Sequence, residues 1–181
     1  MREWHEAYER PGIGDECVCE GDISHRWGTL PGTELVRRFW EGTVRNGYIG
    51  HGECFLDPND ALWWSKGGIL KGESPARISF LKQILEEGPS QGIDELQDEF
   101  SPYASYDSSY GGTDGEYYLL CFGFSQPAYR GLVLPEDLEF HIDIIDTSER
   151  TITPVKGEFT GRCQVDLLGK SYLALQITRV R

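Results

Sequence analysis

Residues 15–28 read DECVCEGDISHRWG, and residues 46–72 read NGYIGHGECFLDPNDALWWSKGGILKG. Between them, Leu35, Val36, Phe39, Trp40 and Val44 recur at helical spacing, while Glu34, Arg37, Arg38, Glu41 and Arg45 take the opposite face. This is the pattern of an amphipathic helix laid over a sheet. Thr33 stands where it can cap the helix start, and Asn46-Gly47 where it can stop it. Short strand candidates flank the helix at residues 13–17 and 48–51. Strand, helix, strand in so short a span is the signature of a parallel βαβ unit. In such folds the working side chains gather at the C-terminal ends of strands, and Glu16 and Glu53 fall there.

Outward from this unit, residues 2–9 (REWHEAYE) are helix-compatible, with Trp4 and Tyr8 spaced to share a buried face before Pro11-Gly12 ends the segment. Residues 22–32 and 55–72 read as loops. Ser74-Pro75 opens a second helix, with Ser74 as N-cap and Ile78, Phe80, Leu81, Ile84 and Leu85 as its buried stripe, and Gly88-Pro89 closes it.

After a polar connector at residues 90–100 the pattern changes to short β-rich runs: YYLLCFGF, LEFHIDIID, GEFTGRCQVDLL and SYLALQITRV. In LEFHIDIID, Leu138, Phe140, Ile142 and Ile144 alternate with Glu139, His141 and Asp143. Turns are expected at Gly111-Gly112, in the run GTDGEYY (112–118), and at Pro135, Pro154, Gly157 and Gly169. The expected fold class is therefore α/β plus all-β. Residues 1–92 form the parallel part, and residues 93–181 form an antiparallel β-sandwich.

The chain has 181 residues, 39% of them hydrophobic and 12% aromatic, which suffices for a packed core. Its net charge of −13 repels phosphate backbones and anionic lipid, so neither nucleic acid nor membrane is an expected partner. A neutral sugar is compatible with such a surface. Cys17, Cys19, Cys54, Cys121 and Cys163 are odd in number and irregular in spacing, and they read as reduced structural residues. The first residues, MREWHEAYERPG, carry no apolar signal core, so a cytoplasmic location is expected. The histidines match no standard zinc spacing, and neither a metal nor a cofactor is called for.

Carboxylates at Glu16, Glu20 and Glu53, beside His25, His51, Trp27, Trp63 and Trp64, are what a carbohydrate-cleaving site needs: acids, bases and flat apolar faces. Trp63 and Trp64 are adjacent, so on an extended chain only one of them faces a ligand, and plain burial is an equal alternative. Trp40 belongs to the core.

DECVCEG, VRRFWEG, NGYIGHGE, LWWSKGGILKGESPARISFLKQILEEGP and YYLLCFGF together resemble the C-terminal portion of a group of glycoside hydrolases. Those enzymes have a (β/α)8 barrel related to apiosidase-like and cellulase-like proteins, followed by a small β-sandwich of unknown function. The resemblance runs from about Trp4 to Leu175. It implies that residues 11–17 and 33–45 are barrel strand seven and its helix, that residues 47–53 and 74–87 are strand eight and its helix, and that the sandwich begins near residue 95.

On this resemblance Glu16 is the catalytic nucleophile, with Glu20 as its rival or supporting partner. His51, Glu53 and Trp63 or Trp64 line a sugar subsite, to which His25 and Trp27 are candidates for addition. The partner acid/base belongs to an earlier strand, outside this stretch. The aromatic that usually precedes the EG pair is Cys19 here. Two functions stay open: a glycosidase-derived chain, incomplete by itself, and a non-catalytic module that binds carbohydrate or packs against a catalytic partner. A two-strand barrel fragment would expose parallel edges, so it is expected to self-associate, to meet the missing barrel half, or to lay its helices over the sandwich.

Overall fold

The protein, here a computed structural model, is described at residues 7, 8, 10, 12–15, 17–56, 69–96 and 109–180. Among the described residues it is β-rich, with two α-helices of more than two residues. Strands β1 (Gly12–Gly14) and β2 (Glu20–Gly21) precede a 3-10 turn (Arg26–Gly28) and helix α1 (Gly32–Val44); β3 (Gly47–Ile49), β4 (Glu53–Cys54) and helix α2 (Ser74–Glu87) follow. The rest is strands: β5 (Asp94–Glu95), β6 (Ser109–Thr113), β7 (Tyr117–Cys121), β8 (Tyr129–Val133), β9 (Phe140–Asp146), β10 (Thr151–Pro154), β11 (Arg162–Asp166) and β12 (Leu173–Arg179).

The expected βαβ unit is present. β1 pairs parallel with β3, Ile13 lying beside Tyr48, and β2 pairs parallel with β4, Glu20 beside Glu53. Helix α1 is the crossover. It buries Leu35, Val36, Phe39, Trp40 and Val44, the stripe its spacing predicts. Asn46 adopts a left-handed φ of 55° just beyond its end, the stop expected of Asn46-Gly47.

Antiparallel strands form a six-stranded sheet in the order β10-β9-β12-β7-β6-β5, with β8 and β11 paired as a second sheet. One face of the large sheet carries Tyr117, Leu119, Cys121, Ile145 and Ala174 and packs on the stripes of both helices. The other face, with Tyr118, Leu120, Phe140, Ile142, Leu175 and Ile177, packs on Leu132 of β8 and Val165 of β11. All five residues of β7 are buried because both of its faces are covered. Leu138, Phe140, Ile142 and Ile144 fall together in the second core, as their alternation predicts. The helices thus lie over the sandwich and share a core with it.

Several local expectations are corrected. Helix α1 starts at Gly32 with Pro31 at its N-cap, so Thr33 is inside the helix rather than capping it. Ser74 is likewise the first residue of α2, with Glu73 at the cap position, because the helix end is closed by a carboxylate from another element. Gly111-Gly112 is no turn. It lies within β6, where a Cβ at Gly111 would stand 2.1 Å from the Val44 carbonyl oxygen, so glycine lets the strand pass the end of α1. The turn comes at residues 114–116, with Gly115 at φ 73°. Pro154 ends edge strand β10, a place where a missing N–H is tolerated. The connector at 90–100 contains β5. Tyr8 is exposed rather than buried, and its expected partner Trp4 lies outside the described residues.

Candidate functional site

The parallel pairing sets Glu20 and Glu53 side by side beyond β1 and β3, projecting from one sheet face. Both are buried, 4% and 6% exposed. The Glu20 carboxylate sits at the start of α2. Oε1 accepts the Glu73 N–H at 2.7 Å; Oε2 accepts the Ser74 N–H at 3.0 Å and the Ser74 hydroxyl at 2.5 Å. The unpaired N–H groups of a helix start, together with its positive dipole end, account for a buried carboxylate there. Two glycines close the space around it: a Cβ at Gly32 would stand 2.4 Å from Oε1, and one at Gly72 2.2 Å from Oε2.

Glu53 is less well provided for. Its Oε2 accepts the Lys71 N–H at 2.8 Å, while Oε1 is buried with no hydrogen-bond partner. His51 completes the group. Its Nε2 lies 3.2 Å from Ser74 Oγ and 3.7 Å from Glu53 Oε1, and Phe39 packs at a tilt against its ring. The Ser74 proton is committed to Glu20, so His51 Nε2–H is the donor to Ser74 Oγ. One oxygen from each glutamate and a nitrogen of His51 all fall within 4.8 Å of one another.

Of the residues singled out in the sequence, Glu20, His51 and Glu53 are therefore brought together. His25 and Trp27 are not part of that cluster: they stack on each other at 5.7 Å, nearly parallel, on the surface turn after β2. Glu16, Trp63 and Trp64 lie outside the described residues. Ser74 and the N–H groups of Lys71 and Glu73 were missed as site groups. The GESP run marked a helix start, but only tertiary contact shows whose carboxylate it serves. At Cys54 burial, reinforced by the neighbouring Cys19 thiol, pushes the thiol pKa up to about 12. All five cysteines are free.

Glu20 and Glu53 are near enough to resemble a glycosidase carboxyl pair, whose separation is about 5 Å in retaining enzymes. Their surroundings differ from that role. Glu20 already accepts three hydrogen bonds that hold α2 in place, and a nucleophile needs a free oxygen directed at the anomeric carbon.

A second feature is the bare face of the parallel strands. Ile13 and Tyr48, neighbours in register, are 70% and 62% exposed on the side away from α1. Leu56, Ile69 and Leu70 are also exposed. No helix among the described residues is long and apolar enough to cross a membrane.

A family described as a domain of unknown function (DUF5605) matches residues 106–178, most of the sandwich. No curated protein matches the chain. Among solved structures, the chain is similar to a candidate glycoside hydrolase from Bacteroides vulgatus ATCC 8482, at 28% identity and a TM-score of 0.83, over 98% of this chain and 38% of that one. It shares its fold with part of a protein described as a glycoside hydrolase, at 12% identity and a TM-score of 0.65, over 93% of this chain and 42% of that one. A glycoside hydrolase family 5 structure from the same Bacteroides vulgatus strain matches at 14% identity and a TM-score of 0.57, over 81% of this chain and 36% of that one. The chain therefore spans about two fifths of the length of these structures, and it is a partial, glycoside hydrolase-like domain.

Proposed function

We propose that this chain supplies one half of a retaining glycosidase site, on the last two strands and helices of a (β/α)8 barrel that run into a C-terminal β-sandwich. The observation that carries the reading is the likeness of nearly the whole chain to a candidate glycoside hydrolase, at 28% identity, joined to the parallel β1–β3 pair, beyond whose C-terminal end β2 and β4 set Glu20 and Glu53 side by side. Residues 1–92 are the barrel part and residues 93–181 the sandwich.

Glu16 is the nucleophile. Its carboxylate attacks the anomeric carbon, forming a glycosyl ester while the aglycone leaves; water then hydrolyses the ester. Glu20 holds helix α2 against the strands and so fixes the floor of the site. His51, Glu53, Trp63 or Trp64, and at the rim His25 with Trp27, contact the sugar. The acid that protonates the leaving oxygen comes from a segment outside this stretch.

That division of roles sets the test. A dinitrophenyl glycoside needs no acid assistance to leave, and azide needs no base to attack the ester. The chain is expected to release dinitrophenolate in a burst of at most one equivalent, with turnover restored by azide, and Glu16→Gln to abolish both. Equal release by parent and variant, or none from any glycoside tried, overturns the reading.

A second reading rests on the exposed Ile13–Tyr48 face. In it the chain is a non-catalytic module that packs this face against a catalytic partner, a barrel half or a second copy, or that binds carbohydrate without cleaving it. Light scattering together with oligosaccharide titration separates this reading from the first: association or sugar binding in the Glu16→Gln variant without any burst in the parent favours it.

A further inference from the structure

We propose that Glu20, His51 and Glu53 form a binding site for a first-row divalent cation of the zinc class. The inference stands apart from the glycosidase reading, since it needs neither Glu16 nor a sugar.

Two carboxylates are buried side by side, and among the described residues His51 is the one basic side chain in ion-pair reach of either. Helix α2 and three hydrogen bonds compensate Glu20. Glu53 has one backbone donor, on Oε2, and its Oε1 is buried without a hydrogen-bond partner, His51 Nε2 standing 3.7 Å away. A buried carboxylate oxygen without a donor is costly unless something positive meets it. Oε1 faces His51, and one oxygen of Glu53, one of Glu20 and a nitrogen of His51 lie within 4.8 Å of one another.

The donor set is one imidazole nitrogen and two carboxylate oxygens. That favours zinc and its neighbours over calcium, which takes six to eight oxygens. Three protein ligands leave a fourth position for water. Zinc ligand atoms in a tetrahedron stand about 3.4 Å apart, so the site must close by about an ångström. Of the three ligands His51 has the most room to move, because its side chain is a quarter exposed (25%) while hydrogen bonds hold both glutamates. It would bind as the Nδ1–H tautomer, turning Nε2 from Ser74 to the cation. The supporting groups are already in place: Ser74 and Glu73 orient Glu20, and the Lys71 N–H orients Glu53. The exposed edge of His51 is the entry path.

The test is calorimetric titration of the untagged, chelator-treated full chain with zinc chloride, and in parallel with calcium chloride. One zinc per chain is expected, bound at least tenfold more tightly than calcium, together with a rise in melting temperature. His51→Ala and Glu53→Gln are each expected to weaken zinc binding at least tenfold. His51 is at the surface, so its variant tests the proposal even if Glu53→Gln folds poorly, and unchanged circular dichroism checks that the fold is kept. No zinc uptake, calcium binding as tight as zinc, or undiminished zinc binding by the His51 variant (which would point to the thiols instead) overturns the proposal.

Discussion

Glu20 and Ser74, 54 residues apart in sequence, are joined twice: the Ser74 N–H and the Ser74 hydroxyl both donate to Glu20 Oε2. With the Glu73 N–H on Oε1, this makes a strand residue the cap of a distant helix. The link ties the parallel strands to α2, and through the core that α2 shares with Tyr117 and Leu119 it ties them to the sandwich.

Glu20→Ala should therefore cost stability far beyond a surface change. It removes a helix cap and leaves the fully buried Ser74 hydroxyl without its acceptor. The two effects together are worth about 3 kcal/mol. Glu20→Gln keeps the shape but turns an NH2 toward groups that are themselves donors, and should cost somewhat less. Urea unfolding reads both; an unchanged midpoint would contradict the capping role.

Gly72→Ala and Gly32→Ala should each destabilise by about 1–3 kcal/mol, since the added methyl would overlap the Glu20 carboxylate. Gly131→Ala is the control. Nothing lies within 4 Å of its added Cβ, and a strand glycine gains from substitution, so it should be neutral or stabilising by up to about 1 kcal/mol. Equal losses at all three positions would mean that the fit around Glu20 is not the cause.

Asp146 gives a pH signature. Burial alone would raise its pKa, but the Lys170 ammonium, the Glu149 N–H and the Ser148 hydroxyl outweigh burial and hold it below the usual carboxylate range. A folded pKa below the unfolded one adds stability above roughly pH 4, and that stability is lost as the pH falls through the depressed folded value. Asp146→Asn should then be less stable than the parent at pH 7, with the gap closing in acid. A gap constant from pH 7 to pH 2.5 would contradict this.

The helices and the sandwich share one core, so the chain should unfold in a single transition, with far-ultraviolet dichroism and tryptophan fluorescence coinciding. Leu119→Ala and Leu120→Ala, on opposite faces of β7, should each cost about 2–5 kcal/mol and lower that one transition. Two separated transitions would show that the parallel part and the sandwich fold independently.

Periodicity made much of this legible. The stripe of α1, the stripe of α2 around Leu81 and Ile84, and the alternation of β9 from Leu138 to Ile144 are local patterns, and each packs on the core that its spacing predicts, while Ile145 adds a second buried side to β9. N-caps and tight approaches were not legible. Ser74 looks like an N-cap because serine often is one, but the acceptor that closes α2 comes from Glu20, and no spacing rule reaches across 54 residues. Gly111-Gly112 reads as a turn because two glycines usually bend a chain. Here Gly111 lets β6 run past the end of α1, a constraint imposed by an element far away in sequence. At the site, residue types found Glu20, His51 and Glu53, while which of them is tied up and which is bare depends on the backbone N–H groups of Lys71, Glu73 and Ser74.

The roles of the three glutamates are tested most directly by trapping. A 2-deoxy-2-fluoro glycoside with a dinitrophenyl leaving group forms a long-lived ester on a retaining nucleophile, and peptide mapping by mass spectrometry locates it. The label is expected on Glu16, with Glu20 and Glu53 unmodified. A label on Glu20 or Glu53, or an unlabelled chain across the sugar series, would contradict the assignment of chemistry to Glu16 and of support to Glu20.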